Sequence, residues 1–335
     1  MFDVRLINDP FEDPGVFVEL RYRREALLFD LGDLRGLAPR NLLKISHIFI
    51  SHTHMDHFIG FDHLLRVCLG RDRTLRLFGP EGFIRNVENR LGSYTWNLVE
   101  NYENDLDLEV TEVQKEKKKT CFFRCRNAFR REEGSEGAIG DGMLVDYPLY
   151  RVRTTILDHR IPSLAFALEE KFRINIRKDV LREMAIPPGP WLMELKDRIA
   201  AEEDPSSTIR ASWKGGYDGR GCERIFTLGE LKERLVLITK GKKIAYIGDA
   251  IFSPENEVKM LSIVQNADLL FIEASFLHED EKRAREKYHL TARQAGTIAR
   301  KGGVKRLVPY HFSPKYQGKG AKLQEEAVRA FREEH

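Results

Sequence analysis

A cluster of metal-competent side chains dominates the chemistry that this sequence can perform. Three histidines and an aspartate lie within residues 51–57, which read Ser-His-Thr-His-Met-Asp-His. Residues 45–50 are rich in β-branched and aromatic types and predict a buried strand, so the cluster begins where that strand ends. Because side chains alternate along extended backbone, His52 and His54 point to the same side and can share one metal ion.

Asp56 and His57 extend this cluster where the chain turns toward a helix, and they can serve a second ion beside the first. Zn²⁺ prefers imidazole nitrogen and carboxylate oxygen as ligands. The alternative is a set of surface or core histidines held by hydrogen bonds, which is the commoner role of a single histidine. The close spacing of three histidines and an aspartate favours a metal site instead.

Three later side chains offer the further ligands that a two-metal site needs. His159, Asp249 and His311 each come directly after, or one residue beyond, an apolar run that predicts a strand. Loops from the same edge of a sheet can converge on a common point. Together with the first cluster these side chains make seven ligands, which is enough for two ions if Asp249 bridges both.

Alternating strands and helices must position these ligands. Apolar residues at helical spacing follow the cluster over residues 58–68, and short apolar runs at 74–78, 243–247 and 269–272 predict strands. This alternation indicates a mixed α/β (α+β) fold.

The length of 335 residues allows one large domain or two ordinary ones. We predict a single domain over residues 1–335, with insertions near 101–150 and 173–230, where the pattern is less regular. No apolar run is long enough to span a bilayer and the first residues carry no signal-peptide pattern, so we expect a cytoplasmic protein without a membrane partner. The net charge of +3 does not by itself indicate nucleic acid. The sequence has no glycine-rich dinucleotide motif and no P-loop, which argues against nicotinamide and nucleoside-triphosphate enzymes.

A basic segment at residues 115–131 interleaves lysines and arginines with three phenylalanines. Cations that pair with phosphates and rings that stack on bases would make it an RNA-binding arm. An antiparallel hairpin, with solvated cations on one face and phenylalanines in the core, explains the same pattern. The sequence leaves both interpretations open.

The order of motifs resembles the metallo-β-lactamase superfamily and, within it, the ribonuclease Z family of tRNA 3′ endonucleases. The resemblance is carried by Phe49-Ile50-Ser51-His52-Thr53-His54-Met55-Asp56-His57, Leu157-Asp158-His159, Ala245-Tyr246-Ile247-Gly248-Asp249, Glu273-Ala274-Ser275-Phe276 and His289-Leu290-Thr291-Ala292. It implies a four-layer αββα sandwich, a homodimer and two divalent ions, with zinc first and manganese or iron as alternatives. It also implies a precursor tRNA as the substrate, cleaved by a hydroxide held between the two ions.

The resemblance also assigns roles by position. One ion would be bound by His52, His54 and His159, the other by Asp56, His57 and His311, and both by Asp249. As catalytic residues it implies Asp56, which orients the hydroxide, and the pair Glu273 and His289, in which the histidine donates a proton to the departing ribose 3′ oxygen.

One segment departs from the family pattern. Ribonuclease Z usually carries a loop like Gly-Glu-Gly-Thr-Gln after its early Phe-Asp strand, whereas residues 32–37 of this chain read Gly-Asp-Leu-Arg-Gly-Leu. The altered loop favours an alternative function, a hydrolase of the same fold that acts on a small ester, lactone or phosphodiester. A non-catalytic nucleic-acid-binding protein is a third hypothesis, and the complete ligand set argues against it.

Overall fold

The structure, a computed structural model, describes residues 2–21, 23–214 and 221–333. The chain divides into two compact units. The first contains Met1–Leu144, Val152–Leu168 and Lys243–His335, and the second contains Val145–Arg151 and Glu169–Lys242. A single domain with insertions near 101–150 and 173–230 stays a prediction.

The first sheet of the first unit has eight strands that lie in chain order. Its strands are β1 (Phe2–Leu6), β2 (Val16–Leu20), β3 (Glu25–Phe29), β4 (Ile45–Phe49), β5 (Arg73–Pro80), β6 (Leu106–Val113), β7 (Lys117–Arg124) and β8 (Arg131–Ala138), with helices α1 (Pro39–Leu42), α2 (Met55–Phe58), α3 (Phe61–Cys68) and α4 (Phe83–Gly92) between them. Strands β3 to β6 run parallel. The carboxyl ends of β3 and β4 therefore lie at one edge of the sheet.

Three strands, β9 (Met143–Asp146), β10 (Tyr150–Asp158) and β11 (Pro162–Glu170), precede the main part of the second unit. That part contains β12 (Phe172–Ile176), α5 (Lys178–Glu183), α6 (Trp191–Ala200), β13 (Thr208–Lys214), β14 (Gly221–Thr227), α7 (Leu228–Leu235) and β15 (Val236–Lys240). Two antiparallel pairs, β12 with β15 and β13 with β14, enclose a core that includes Trp191, Leu195 and Leu231.

The interpretation of residues 173–230 as a stretch of low regularity is therefore wrong for its described part. Its helices and strands are short, and the segment around Pro187, Pro188 and Pro190 ends just where α6 begins. Proline and glycine between short elements interrupt the periodicity on which sequence-based prediction depends. The glycine-rich residues 215–220 lie outside the described residues.

The second sheet lies in the order β18-β17-β16-β11-β10-β9. The remaining elements are β16 (Lys243–Ile247), α8 (Pro254–Val264), β17 (Leu269–Glu273), α9 (Glu281–Glu286), α10 (Ala292–Lys301), β18 (Leu307–Tyr310) and α11 (Gly320–Arg332). Strands β16, β17 and β18 are parallel, so their carboxyl ends also lie at one edge. Helix α10 begins with a capping box between Thr291 and Gln294, which fixes the chain just after His289.

The first unit has four layers because successive side chains of its strands face opposite sides. Leu28 and Ile48 join a core with helices α3 and α4, while strands β16 and β17 pack against helices α8, α10 and α11. Between the sheets, the ring of Phe29 lies 5.2 Å from that of Phe49 and 5.7 Å from those of Phe166 and Tyr246. The expected αββα sandwich is confirmed.

The basic segment at residues 115–131 forms β7 and the turn after it, paired on both sides by β6 and β8. Lys117 Nζ lies 2.6 Å from the Glu136 carboxylate and Lys119 Nζ lies 3.0 Å from that of Glu133. Phe123 is fully buried. Because carboxylates of the neighbouring strand neutralise these cations, the structure favours the hairpin interpretation over an RNA-binding arm.

Candidate metal centre

The predicted ligands meet at the carboxyl ends of strands from both sheets. His52 and His54 follow β4, His159 follows β10, Asp249 follows β16 and His311 follows β18. The side chains of His52, His57, His159 and Asp249 are buried, whereas His54 is exposed. All seven predicted ligands fall into two groups whose ligand atoms lie within 4.8 Å of one another, one of His52, His54, His159 and Asp249 and one of Asp56, His57 and His311.

Asp249 lies at the centre of these side chains. Its Oδ2 is 3.7 Å from His52 Nε2, 3.6 Å from His159 Nε2 and 3.4 Å from His57 Nε2. Two ligands bound to one tetrahedral Zn²⁺ at their usual bond lengths are about 3.3–3.5 Å apart. The separations around Asp249 are thus close to those of side chains that share an ion.

The second group places Asp56 between two histidines. Asp56 Oδ2 lies 3.1 Å from His311 Nε2 and 3.6 Å from His57 Nε2. His311 also approaches the first group, since its Nδ1 is 2.9 Å from Asp249 Oδ1. Asp249 therefore touches members of both groups, as a bridging ligand must.

A buried carboxylate that the sequence analysis did not select holds the rings of this centre. Asp30 Oδ2 accepts hydrogen bonds from Ser51 Oγ at 2.7 Å, from Tyr246 OH at 2.5 Å and from His57 Nδ1 at 2.8 Å. Ser51 Oγ in turn lies 3.0 Å from His52 Nδ1. Because both Nδ1 atoms are occupied, the Nε2 atoms of His52 and His57 face Asp249.

The protonation of the histidines follows from burial and from the neighbouring carboxylates. Burial and the charge of His57 hold the pKa of His52 well below its usual value, so this ring is neutral and can ligate. Burial acts in the same direction on His57, but the carboxylates of Asp249 and Asp30 outweigh it and raise its pKa to about 10. A metal ion that binds His57 must displace that proton.

The buried Glu273 and the partly exposed His289 form a hydrogen-bonded pair beside the predicted ligands. His289 Nδ1 donates to Glu273 Oε2 at 2.9 Å, and the same carboxylate accepts from Ser275 Oγ at 2.8 Å and from the Ala250 amide at 2.7 Å. Burial lowers the pKa of His289, and the charge of Glu273 outweighs this effect and raises it. The ring is therefore held in one orientation and favours its protonated form.

Comparisons with known proteins identify the family. A family model described as "Beta-lactamase superfamily domain" matches residues 234–312, which contain Asp249, Glu273, His289 and His311. The "Ribonuclease Z" of Gemmatimonas aurantiaca is 30% identical over 324 residues, which are 94% of this chain and 85% of that protein. The chain belongs to the ribonuclease Z family. The "Ribonuclease Z" of Deinococcus radiodurans is 27% identical over 95% of this chain and 92% of its own length.

Solved structures agree with this family in fold. The short form of human tRNase Z matches with a TM-score of 0.51 at 18% identity and covers 95% of this chain and 94% of its own. A metallo-β-lactamase fold protein from Bacillus subtilis matches with a TM-score of 0.52 at 15% identity over 96% of this chain and 86% of its own. These structures confirm the predicted fold, and membership of the ribonuclease Z family confirms the prediction of a metal-dependent hydrolase.

The side chains at the centre suit the divalent metal that the ribonuclease Z family and its fold imply. Among the described residues, the Nε2 atoms of His52 and His57 are buried without a hydrogen-bond partner. A buried polar atom without a partner is unfavourable by about 1–3 kcal/mol. A divalent cation bound by these nitrogens and by the Asp249 carboxylate would satisfy them.

Four residues with left-handed backbone lie at or beside the same centre. Asp30, Arg160, Tyr288 and His311 all have positive φ values, of 57°, 63°, 60° and 59°. Residues other than glycine reach this region at a conformational cost, and such residues cluster at functional sites. At Tyr288 the strain has a visible use, because its carbonyl oxygen accepts a 2.7 Å hydrogen bond from His159 Nδ1.

Replacement of Asp30 tests how the ligands are oriented. We expect Asp30→Asn to weaken metal binding by about 10- to 100-fold, because an amide in place of Oδ2 would oppose the three donors that now point at it. Chelator competition with the purified protein measures this affinity. Asp33→Asn, three residues further along, is the matched control and should bind metal as the unmodified chain does. Equal affinities for all three proteins would contradict the role given to Asp30.

Sequence reasoning missed Asp30, Tyr246 and the Tyr288 carbonyl. Asp30 could have been predicted, because it directly follows strand β3, as several of the predicted ligands follow other strands. Tyr246 lies inside a strand and Tyr288 acts through its backbone, so neither leaves a signal in the residue pattern.

In the part of the chain that the structure describes, no helix has the length and apolar character of a membrane span.

Proposed function

We propose that this protein is a metal-dependent endoribonuclease that processes the 3′ ends of tRNA precursors. The observation that carries the proposal is the Glu273–His289 pair, held at 2.9 Å beside Asp249 in a chain of the ribonuclease Z family. A proton donor at this place suits a substrate whose leaving group is a poor one, such as a ribose 3′ oxygen.

We assign one ion to His52, His54 and His159, the other to Asp56, His57 and His311, and both to Asp249. When bound, two divalent ions lower the pKa of a water molecule and polarise the phosphodiester. Zinc fits the nitrogen-rich ligand set, and manganese or iron are alternatives that the same side chains accept.

Two side chains of the protein then have separate roles in hydrolysis. Water adds to phosphorus as the bond from phosphorus to the ribose 3′ oxygen breaks, which leaves a 3′ hydroxyl on the tRNA and a phosphate on the trailer. Asp56, about two-fifths exposed, orients the attacking water. His289, protonated and fixed by Glu273, gives its proton to the departing 3′ oxygen.

Cleavage of a precursor tRNA with a 3′ extension tests the proposal. The metal-loaded protein is expected to cut at the 3′ boundary of the tRNA, and Asp56→Ala is expected to lose that activity. Bis(p-nitrophenyl) phosphate serves as a small control substrate. Hydrolysis of the small diester alone would refute the proposal and move the chain to the alternative, a hydrolase of small esters or diesters with a pocket shaped by residues 32–37.

Two further properties belong to the same proposal. The family resemblance supports a homodimer, which sedimentation of the purified protein would reveal. A tRNA-processing role also supports a cytoplasmic location, which fractionation of cells would test.

A further inference from the structure

A pocket of about 400 Å³ opens beside the proposed catalytic residues. Asp56, Ser275, His289 and His311 form its inner wall. Pockets for small ligands range from roughly 300 to 1,000 Å³. The space is therefore suited to one nucleotide-sized group.

Two cations border this pocket on one side. Arg283 and Lys287 line it from helix α9 and the residue that ends the helix. They are four residues apart, and the Lys287 amide donates to the Arg283 carbonyl, so both lie on one helical face. Within the described residues neither side chain forms a salt bridge. Lys282 and Arg285, on the same short helix, do not line the pocket.

The pocket lining also includes two carboxylates, which we call its acidic border. Glu12 and Asp13 lie in the loop between β1 and β2, which is fixed at both ends. The Phe312 amide donates to the Pro10 carbonyl at 2.7 Å, and Asp13 accepts from the Asp33 amide at 3.2 Å. The negative charges of Glu12 and Asp13 would repel a phosphate group beside them. Such repulsion disfavours the wrong orientation of a bound nucleotide more than it weakens binding in the right one.

The altered loop at residues 32–37 supports this acidic border. A side chain at Gly32 would lie only 2.5 Å from the Pro14 carbonyl oxygen, so the two loops pack at backbone contact. Residues 32–37 are thus in direct contact with the loop that carries Glu12 and Asp13.

We propose that this pocket binds the nucleotide whose 3′ oxygen leaves, with its 5′ phosphate on Arg283 and Lys287. The inference rests on the proposed function, because it takes the leaving atom to be a ribose 3′ oxygen. His289 in the pocket wall places that ribose inside, and the next negative charge along the chain is then the 5′ phosphate. Glu12 and Asp13 direct that phosphate to the cationic side.

Binding of two probes that differ by one phosphate tests the subsite without any cleavage. Adenosine 3′-monophosphate and adenosine 3′,5′-bisphosphate are titrated calorimetrically into the metal-loaded protein. The second phosphate should strengthen binding about tenfold, since a charge-assisted hydrogen bond contributes about 1.5–3 kcal/mol. Arg283→Gln and Lys287→Gln should each lose most of this gain, while the controls Lys282→Gln and Arg285→Gln should keep it.

The acidic border gives an independent measurement. The double variant Glu12→Gln, Asp13→Asn should bind the bisphosphate up to about fivefold more tightly, as expected from removing a repulsion between partly exposed charges. A gain from the second phosphate that persists in both Arg283→Gln and Lys287→Gln would overturn the proposal. So would an equal loss in the two control variants.

The outcome separates this inference from the proposed function. If precursor tRNA is not cleaved but the second phosphate strengthens binding through Arg283 and Lys287, the phosphate subsite is supported and the proposed tRNA substrate is refuted. If precursor tRNA is cleaved but the second phosphate does not strengthen binding, the proposed substrate is supported and the subsite is refuted.

Discussion

Asp249→Ala is expected to leave the protein folded but without bound metal, and to abolish hydrolysis of precursor tRNA and of the small diester alike. Asp249 is the carboxylate that approaches both ligand groups, within 3.7 Å of His52 Nε2 and 2.9 Å of His311 Nδ1. Substitution of a residue that only supports the ligands already weakens metal binding or activity by about 10- to 100-fold. We therefore expect removal of the shared ligand to lower both the metal affinity and the rate of hydrolysis by more than about a hundredfold.

Elemental analysis of the purified variant, together with its rate on both substrates, measures this effect. Asp141→Ala is the matched control, because Asp141 is an exposed aspartate that belongs to neither of the two ligand groups. Circular dichroism of both variants establishes that the fold is intact. A full complement of metal in Asp249→Ala would remove Asp249 from the ligand set.

His289→Ala is expected to retain its metal and to slow cleavage of precursor tRNA by about 10²–10⁴-fold, the usual contribution of a positioned general acid. The pKa of His289 is raised by the Glu273 carboxylate against the effect of burial, so the ring carries the proton that the leaving oxygen needs. A p-nitrophenolate leaves without a proton. Hydrolysis of bis(p-nitrophenyl) phosphate should therefore fall much less in the same variant.

The ratio of the two rates distinguishes a proton donor from a structural residue. Equal losses on the two substrates would contradict the donor role, and loss of metal from His289→Ala would make the residue a ligand instead. Glu273→Gln should resemble His289→Ala in this ratio, since the amide keeps the size of the side chain but removes the charge that raises the His289 pKa.

The clustering of the seven predicted ligands could be predicted from the sequence because most of them follow the end of a strand, whereas Asp56 and His57 lie in the helix α2 that comes next. The strand expected at residues 45–50 is β4, Ile45–Phe49, and the one expected at 243–247 is β16 with the same bounds. A buried strand leaves a run of apolar residues in the sequence, and a polar side chain directly after it marks where function can begin. The structure brings all seven predicted ligands together.

Features that depend on distant backbone contacts were not predictable. The single helix expected over residues 58–68 is divided into α2 and α3 at Gly60, where a side chain would lie 2.1 Å from the Gly32 carbonyl oxygen. Periodicity cannot reveal this contact because its two partners are far apart in sequence. The same reason hid Tyr246, whose hydroxyl reaches Asp30 across the interior between the sheets.

The wide separation of the ligands along the chain has a consequence for how the protein is made. His52, His54, Asp56 and His57 lie near the amino terminus, whereas His311 lies in the last tenth of the sequence. A ribosome extends a chain by roughly 5–20 residues per second, so the early histidines emerge many seconds before the late one. Metal that meets the nascent chain before residue 311 has been made finds only part of the proposed ligands, and we expect stable loading to follow the synthesis of that residue.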